Sequence, residues 1–166
     1  MLLFEDIVRA EKIVSKHIVT TPVVHSKTLS EDIGEQIYLK LENQQITGSF
    51  KIRGAINAIS NLSPGQKKAG VVALSTGNHG RGLAFAANLM KIKCIIWMSK
   101  LVPNNKIEGI KALGAEVRLV GTNQDEAQLE ADRLSIEEGM TYISPFDNID
   151  VIAGQGTLGL EIHRQI

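Results

Sequence analysis

The sequence has very little cysteine and no excess of charge of either sign. Among its 166 residues there is one cysteine, Cys94, and 18 basic residues balance 18 acidic ones. One thiol cannot form an internal disulfide, which argues against a disulfide-stapled scaffold and predicts a reduced, cytoplasmic setting. The even charge balance offers no basic surface for nucleic acid and no acidic tail for a basic partner.

Long apolar runs and metal-ligand spacings are also missing. Apolar runs such as Cys94 to Met98 are far too short to span a bilayer. The N-terminus reaches Glu5 and Asp6 without a basic stretch, so we expect neither a signal peptide nor a membrane partner. The four histidines show no zinc-type spacing, so no metal is predicted. The 43% hydrophobic and 22% charged residues are those of an ordinary globular chain.

From residue 71 onward, short apolar segments alternate with longer helical ones. Strands are predicted over Val71–Leu74, Cys94–Met98, Glu116–Val120 and Met140–Ile143. Helices are predicted between them, over about Gly80–Met90, Asn105–Leu113 and Gln124–Glu138, the last capped by Asn123. Strands separated by single helices predict an α/β fold with a doubly wound parallel sheet and right-handed crossovers.

The first 50 residues, and the helix that follows them, have a different pattern. Amphipathic spacing predicts a helix over about Phe4–Lys16, and alternation predicts a strand over Ile37–Leu41. A second helix is predicted from Phe50 to about Asn61, capped by Ser49 and ended by the Ser-Pro-Gly at 63–65. Near the C-terminus, glycines at helical spacing within 154–159 suit close helix packing.

Lys51 is a candidate nucleophile. It lies between Phe50 and Ile52, just inside the start of the predicted helix. The positive end of the helix dipole disfavours the ammonium form, and partial burial acts in the same direction. Both effects favour a neutral amine that can attack an aldehyde. The alternative is a lysine whose stem covers a half-buried helix while its charge reaches water.

A second candidate site is the glycine-rich turn that follows the strand at 71–74. A strand that leads through glycines into a helix presents free backbone N–H groups to an anion. Hydroxyl, amide and imidazole side chains lie beside these glycines, in the order Ser75, Thr76, Gly77, Asn78, His79, Gly80. The alternative is a tight turn whose glycines serve backbone geometry alone.

Other interpretations of these residues are weaker. The spacing of Gly77, Gly80 and Gly82 is not Gly-x-Gly-x-x-Gly, so binding of NAD or ATP by a Rossmann-like domain is disfavoured. Trp97 and Met98 are predicted to be core. Four acidic residues of the helix at 124–138 indicate a solvated face, namely Asp125, Glu126, Glu130 and Asp132.

Several segments together resemble the threonine dehydratase and serine racemase family of fold-type-II pyridoxal-phosphate enzymes. The most specific are 40–43 with 47–55, around Lys51, and the turn at 75–80; the segments 114–117, 145–147 and 152–157 follow in family order. The resemblance covers nearly the whole chain. It implies a small α/β domain over 52–147, with 1–51 and 148–166 belonging to an incomplete larger domain.

The resemblance also implies a cofactor, pyridoxal 5'-phosphate, and a role for each candidate residue. Lys51 would bind the cofactor aldehyde and later remove the substrate Cα proton, with Phe50 packed by the cofactor ring. Asn78 would hydrogen-bond the cofactor's phenolic oxygen. The substrate carboxylate would be surrounded by the turn, that is, by Ser75, Thr76, Gly77, Asn78 and His79. The implied reaction is dehydration and deamination of L-threonine or L-serine to a 2-oxo acid and ammonia.

Two departures from the family pattern keep alternatives open. The resemblance implies that racemases of the family use a serine on the opposite face of the cofactor, at the position held here by Thr76, so the threonine favours a dehydratase over a racemase. Serine racemisation, or elimination from another β-hydroxy amino acid, is the nearest alternative. The family's glycine-rich phosphate loop and the partner of the pyridine nitrogen have no counterpart here. The chain is therefore expected to be an N-terminal portion with little activity alone, or a non-catalytic truncated product, and the complete enzyme is expected to be a homo-oligomer.

Overall fold

The first 70 residues form four helices and a small antiparallel pair of strands. In chain order they are α1 (Phe4–Val14), β1 (Val23–His25), α2 (Lys27–Ile33), β2 (Tyr38–Lys40), α3 (Lys51–Asn61) and α4 (Pro64–Ala69), with a 3-10 turn at Glu42–Gln44. Strands β1 and β2 pair with each other across α2. The computed structural model describes residues 1–166 apart from the side chain of Gln124.

The remainder of the chain builds a four-stranded parallel sheet. Its elements are β3 (Val71–Leu74), α5 (Asn78–Leu89), β4 (Cys94–Met98), α6 (Asn104–Lys111), β5 (Glu116–Leu119), α7 (Gln124–Glu137), β6 (Thr141–Tyr142) and α8 (Ile149–Gln165). The strands lie in the order β5-β4-β3-β6 and all pair in parallel. The predicted α/β parallel sheet is therefore confirmed.

Helices cover both faces of this sheet because its central strands are apolar on both sides. One face carries Val71 and Ala73 of β3 and packs against α3, α5, α6 and α8. The other carries Val72 and Leu74 and packs against α7. Each residue of β3 is buried, as is each residue of β4. Continuous apolar strands are typical of parallel sheets covered on both faces.

Helix α3 lies between α5 and α8, and glycines bring the three backbones close together. A Cβ atom on Gly154 of α8 would be 2.5 Å from the Arg53 carbonyl oxygen and 2.6 Å from the Gly54 Cα. A Cβ atom on Gly82 of α5 would be 3.1 Å from the backbone of Lys51 and Ile52. The close packing expected for the glycines of the C-terminal segment is present at Gly154.

The structure corrects the predicted start of α3. Phe50, not Ser49, is the capping residue, and no side chain caps the helix. The Ser49 Oγ accepts only a long 3.4 Å hydrogen bond from the Lys51 amide. Ser63 ends α3 as predicted but also caps α4, because its Oγ accepts from the Gln66 amide. Helices α2 and α4 and strand β1 were missed by the sequence patterns.

Candidate active site

A cleft of about 560 Å³ opens where the chain leaves β3 and β6. Its walls come from the N-terminus of α3, the turn between β3 and α5, one side of α7, and the loop that follows β6. Six predicted site residues line it, namely Lys51, Ser75, Thr76, Gly77, Asn78 and His79. The fold thus brings together residues separated by more than 20 positions in the sequence.

Lys51 presents its amine to this cleft from the first turn of α3. The Nζ atom lies 3.5 Å from the Pro145 carbonyl oxygen, in the loop after β6. It also lies 5.3 Å from the centre of the Phe50 ring. Phe50 is 38% exposed and stands beside the amine without lining the cleft. A half-buried amine with one carbonyl partner and one aromatic neighbour remains accessible to a small molecule.

The turn between β3 and α5 is shaped for an anion. The Ser75 hydroxyl accepts hydrogen bonds from the amides of Gly77 and Gly80, at 3.3 and 2.9 Å, and so holds the turn closed. The amides of Asn78 and His79 begin α5 and have no acceptor inside the helix. A Cβ on Gly77 would meet no atom within 4 Å. The backbone here faces open space with unused donors, the arrangement that binds carboxylate or phosphate groups.

The His79 ring joins this turn to the loop after β6. Its Nε2 donates to the Ile143 carbonyl oxygen at 3.0 Å, and its buried Nδ1 has no partner among the described atoms. Burial lowers the pKa of His79, and the nearby Lys51 charge acts in the same direction. The imidazole is therefore held neutral. It spans the floor of the cleft, while its backbone amide remains at the turn.

Two further walls of the cleft, the loop after β6 and one side of α7, were not both visible in the sequence. Ser144, Pro145 and Phe146 of the loop after β6 line it. Gln128 and Asp132 of α7 line it as well, although Asp132 was predicted to belong to a solvated face. Asp132 is exposed at the rim of the cleft, so it belongs both to the solvated face of α7 and to the wall of the cleft. No local pattern distinguishes it from the other acidic residues of α7.

Metal binding and membrane insertion have no counterpart in the described part of the chain. No group of three His, Cys, Asp or Glu side chains there is arranged to hold a metal ion. None of the helices described is long and apolar enough to cross a bilayer.

Comparison with known proteins gives consistent results over nearly the full chain. The family described as "Pyridoxal-phosphate dependent enzyme" matches residues 14–166. A putative threonine dehydratase of Sinorhizobium fredii is 52% identical over 161 residues, which are 97% of this chain and 48% of that protein. The L-threonine ammonia-lyase of Thermotoga maritima is 46% identical over 166 residues, 100% of this chain and 41% of that protein.

The fold comparison agrees with the sequence comparison. The crystal structure of serine racemase from Dictyostelium discoideum superposes with a TM-score of 0.92 at 38% identity, over 99% of this chain and 54% of that one. The chain spans about half the length, or less, of the curated relatives it matches.

Proposed function

The chain belongs to the pyridoxal-phosphate dependent enzymes, and on this premise we propose that it forms the lysine-bearing part of an amino-acid ammonia-lyase. The complete enzyme would convert L-threonine or L-serine to a 2-oxo acid and ammonia. The observation that carries the proposal is that one cleft holds both the Lys51 amine and a turn of unused backbone donors.

The residues of the cleft fit pyridoxal phosphate. The cofactor supplies an aldehyde that can join a lysine amine and a pyridine ring that takes up negative charge. Lys51 would hold the cofactor and then accept the substrate Cα proton at Nζ. The Phe50 ring, 5.3 Å from that Nζ, would pack against the cofactor, and Asn78 would donate to its phenolic oxygen. The 560 Å³ volume is within the range of small-molecule sites.

The turn at 75–79 would bind the substrate carboxylate. The free amides of Asn78 and His79 lie at the N-terminus of α5, the end of a helix at which anions bind. Thr76 adds an exposed hydroxyl. Ser75 would act by holding the turn, since its Oγ already accepts two amides. Neutral donors of this kind fix an anion without introducing a competing charge beside the amine.

The substrate class is supported by the relatives. The proteins of Sinorhizobium and Thermotoga are named for threonine dehydration or ammonia release. Racemisation of serine is the second candidate, supported by the superposed racemase at 38% identity. The β-branched Thr76 favours the lyase, because its extra methyl group restricts the rotamers of the hydroxyl facing the cleft.

Three further properties are proposed for the complete enzyme. Its division into a small domain over 52–147 and a larger one that includes 1–51 and 148–166 is supported by the packing of α8 against α1, both of which lie outside 52–147. A homo-oligomer is supported by the family resemblance alone. A cytoplasmic location is supported by the buried, unpaired thiol of Cys94.

The proposed reaction is tested by product analysis in the complete enzyme that contains this chain. With pyridoxal phosphate and L-threonine we expect release of 2-oxobutanoate and ammonia in equal amounts. The Lys51→Ala variant should lose about 10³-fold or more of this activity, since it lacks both the covalent anchor and the base. The Lys68→Ala variant, changed at an exposed lysine of α4, serves as the matched control.

Chiral analysis of residual substrate separates the two candidates. If D-serine forms from L-serine and no 2-oxo acid appears, the enzyme is a racemase and the proposed lyase activity is wrong. Absence of any turnover of β-hydroxy amino acids in cofactor-loaded enzyme would refute both and favour a non-catalytic product.

A further inference from the structure

A buried ionic network lies against α3 at Arg53, two residues beyond Lys51. The Arg53 side chain is 1% exposed. Its Nε and Nη2 donate to the two carboxylate oxygens of Glu42, each at 2.8 Å, and its Nη1 lies 2.9 Å from Glu161 Oε2. One guanidinium thus connects α3 to the 3-10 turn and to α8.

The network is balanced in charge and closed by further hydrogen bonds. Lys40 Nζ lies 2.5 Å from Glu161 Oε1, so two cations face two carboxylates. Thr21 Oγ1 donates to Glu42 Oε1 at 2.6 Å. Burial alone would lower the pKa of Arg53, but its hydrogen bonds to Glu42 and Glu161 outweigh this and raise it. All the contacts of the guanidinium therefore favour its charged form.

Stability alone is a weak reason for such a network. Removing two charges from water costs about as much as their attraction returns, so apolar side chains of the same size are commonly as stabilising. What an ion pair adds is geometry, since the planar guanidinium donates to carboxylates only in fixed directions. The question is which part of the molecule this geometry fixes.

The helical period indicates that this geometry fixes the rotation of α3. Residues 51 and 53 are separated by about 200° around the axis of α3, so their side chains leave on nearly opposite sides. When Arg53 is held by Glu42 and Glu161, the rotation of α3 about its axis is fixed, and with it the direction of Lys51. The close contacts of α3 with Gly82 and Gly154 fix its distance from α5 and α8, and the hydrogen bonds of Arg53 add a directional restraint on its rotation close to Lys51.

We propose that Arg53 is a positioning residue, which directs Lys51 into the cleft by anchoring the opposite side of α3 to Glu42 and Glu161. This inference rests on the proposed function, because it assumes that Lys51 is the residue that binds the cofactor. Arg53 is not among the residues that line the cleft. Its contribution is to the rate and selectivity with which Lys51 reacts.

The test measures covalent capture of pyridoxal phosphate in charge-balanced variants. Each variant is made in the complete enzyme that contains this chain, incubated with the cofactor and reduced with borohydride. The fraction of each lysine labelled is determined by peptide mass spectrometry. Arg53→Met combined with Glu42→Gln removes one charge of each sign and leaves Lys40 paired with Glu161. The Arg53→Lys variant keeps the charge balance but loses the two-pronged contact with Glu42. Unfolding by urea is followed in parallel.

Arg53→Met with Glu42→Gln is expected to unfold near the wild-type urea midpoint, while labelling of Lys51 slows about 10- to 100-fold. Arg53→Lys should unfold similarly and label at an intermediate rate, and it decides the outcome if the double variant does not unfold cooperatively. Arg133→Met is the matched control, since Arg133 also binds two glutamates but on the exposed face of α7; it should label as wild type.

Two results overturn the inference, and they are distinguishable. Lys51 labelled at the wild-type rate in the variants would mean that Arg53 serves the fold alone. Lys51 labelled no faster than exposed lysines in the unmodified chain would contradict the proposed function itself, and the inference with it.

Discussion

Lys51 differs from the other lysines through its immediate neighbours. An aromatic ring lies on one side, the Pro145 carbonyl accepts from its amine, and the backbone of α5 packs against its own main chain at Gly82. These contacts restrict a side chain that is otherwise among the most mobile in proteins. A restricted amine beside an anion-binding turn is the basic requirement for capturing an aldehyde and an amino acid together.

His79 gives the first prediction at the scale of single residues. Its folded-state pKa lies below the ordinary 6.5. As the pH falls below 6.5, the unfolded chain therefore binds more protons than the folded chain. Stability should therefore be complete above pH 6.5 and be lost progressively as the pH drops towards the folded-state pKa. Urea unfolding on both sides of pH 6.5 measures this loss. It should shrink in His79→Gln and persist in the control His163→Gln; equal losses in all three would contradict the assignment.

Cys94 gives the second residue-scale prediction. Burial raises the pKa of its thiol to about 12, and only 5% of the residue is exposed. Because the thiolate is the reactive form, the native chain should resist a thiol reagent at neutral pH. In urea, one thiol per chain should react at once. Rapid reaction of the native protein would show that β4 is not buried between the two helical layers.

At the scale of elements, the contact between α3 and α5 determines how the amine faces the turn. Gly82 lies on the same helix as Asn78 and His79, one turn further along, and touches the Lys51 backbone. The lysine and the anion-binding turn are therefore connected through one short helical segment. A change in this spacing would displace Lys51 relative to the anion-binding turn.

The Gly82→Ala variant tests this contact. Its Cβ would be 3.1 Å from the Lys51 carbonyl, so we expect a loss of about 1–3 kcal/mol in stability and slower labelling of Lys51. The Gly159→Ala variant is the matched control, because its Cβ meets nothing within 4 Å and should stabilise α8 by up to about 1 kcal/mol. Equal effects of the two substitutions on stability and labelling would show that Gly82 does not set the spacing.

The sequence predicts the elements around the site better than the elements far from it. Strands such as Cys94–Met98 are long, apolar and buried on both faces, so local composition alone identifies them. Strand β1 has three residues and depends on pairing with β2, which gives too few positions for a period, whereas the alternation over 37–41 did predict β2. The predicted cap at Asn123 is confirmed, because its Oδ1 accepts a hydrogen bond from the Glu126 amide. The predicted cap at Ser49 is wrong, because Phe50 already adopts helical backbone angles.

Among the site residues too, those with a local sequence signal could be predicted and those that depend on distant contacts could not. Lys51 and the turn at 75–79 carry local signals, namely a lysine at a helix start and a glycine-rich strand-to-helix turn. Asp132 and Gln128 carry none, since a polar pair four positions apart also describes a solvated helix. Arg53 pairs with Glu161, more than a hundred residues away, and no local pattern reveals that contact.

At the scale of the whole molecule, the cleft is a product of the complete fold. Its walls come from four separate segments, and the parallel sheet brings the turn after β3 beside the loop after β6. The His79 bond to Ile143 and the Lys51 bond to Pro145 connect these segments across the cleft. Selective chemistry at Lys51 therefore reports on the assembly of the entire chain.

Borohydride trapping of pyridoxal phosphate on this chain within the native, complete enzyme tests the central claim most directly. We predict that peptide mass spectrometry finds the label predominantly on Lys51, that urea abolishes this selectivity, and that Lys51→Ala leaves only weak, scattered label. Label spread evenly over the exposed lysines of the native chain, unchanged by Lys51→Ala, would contradict the assignment of Lys51 as the cofactor-binding residue.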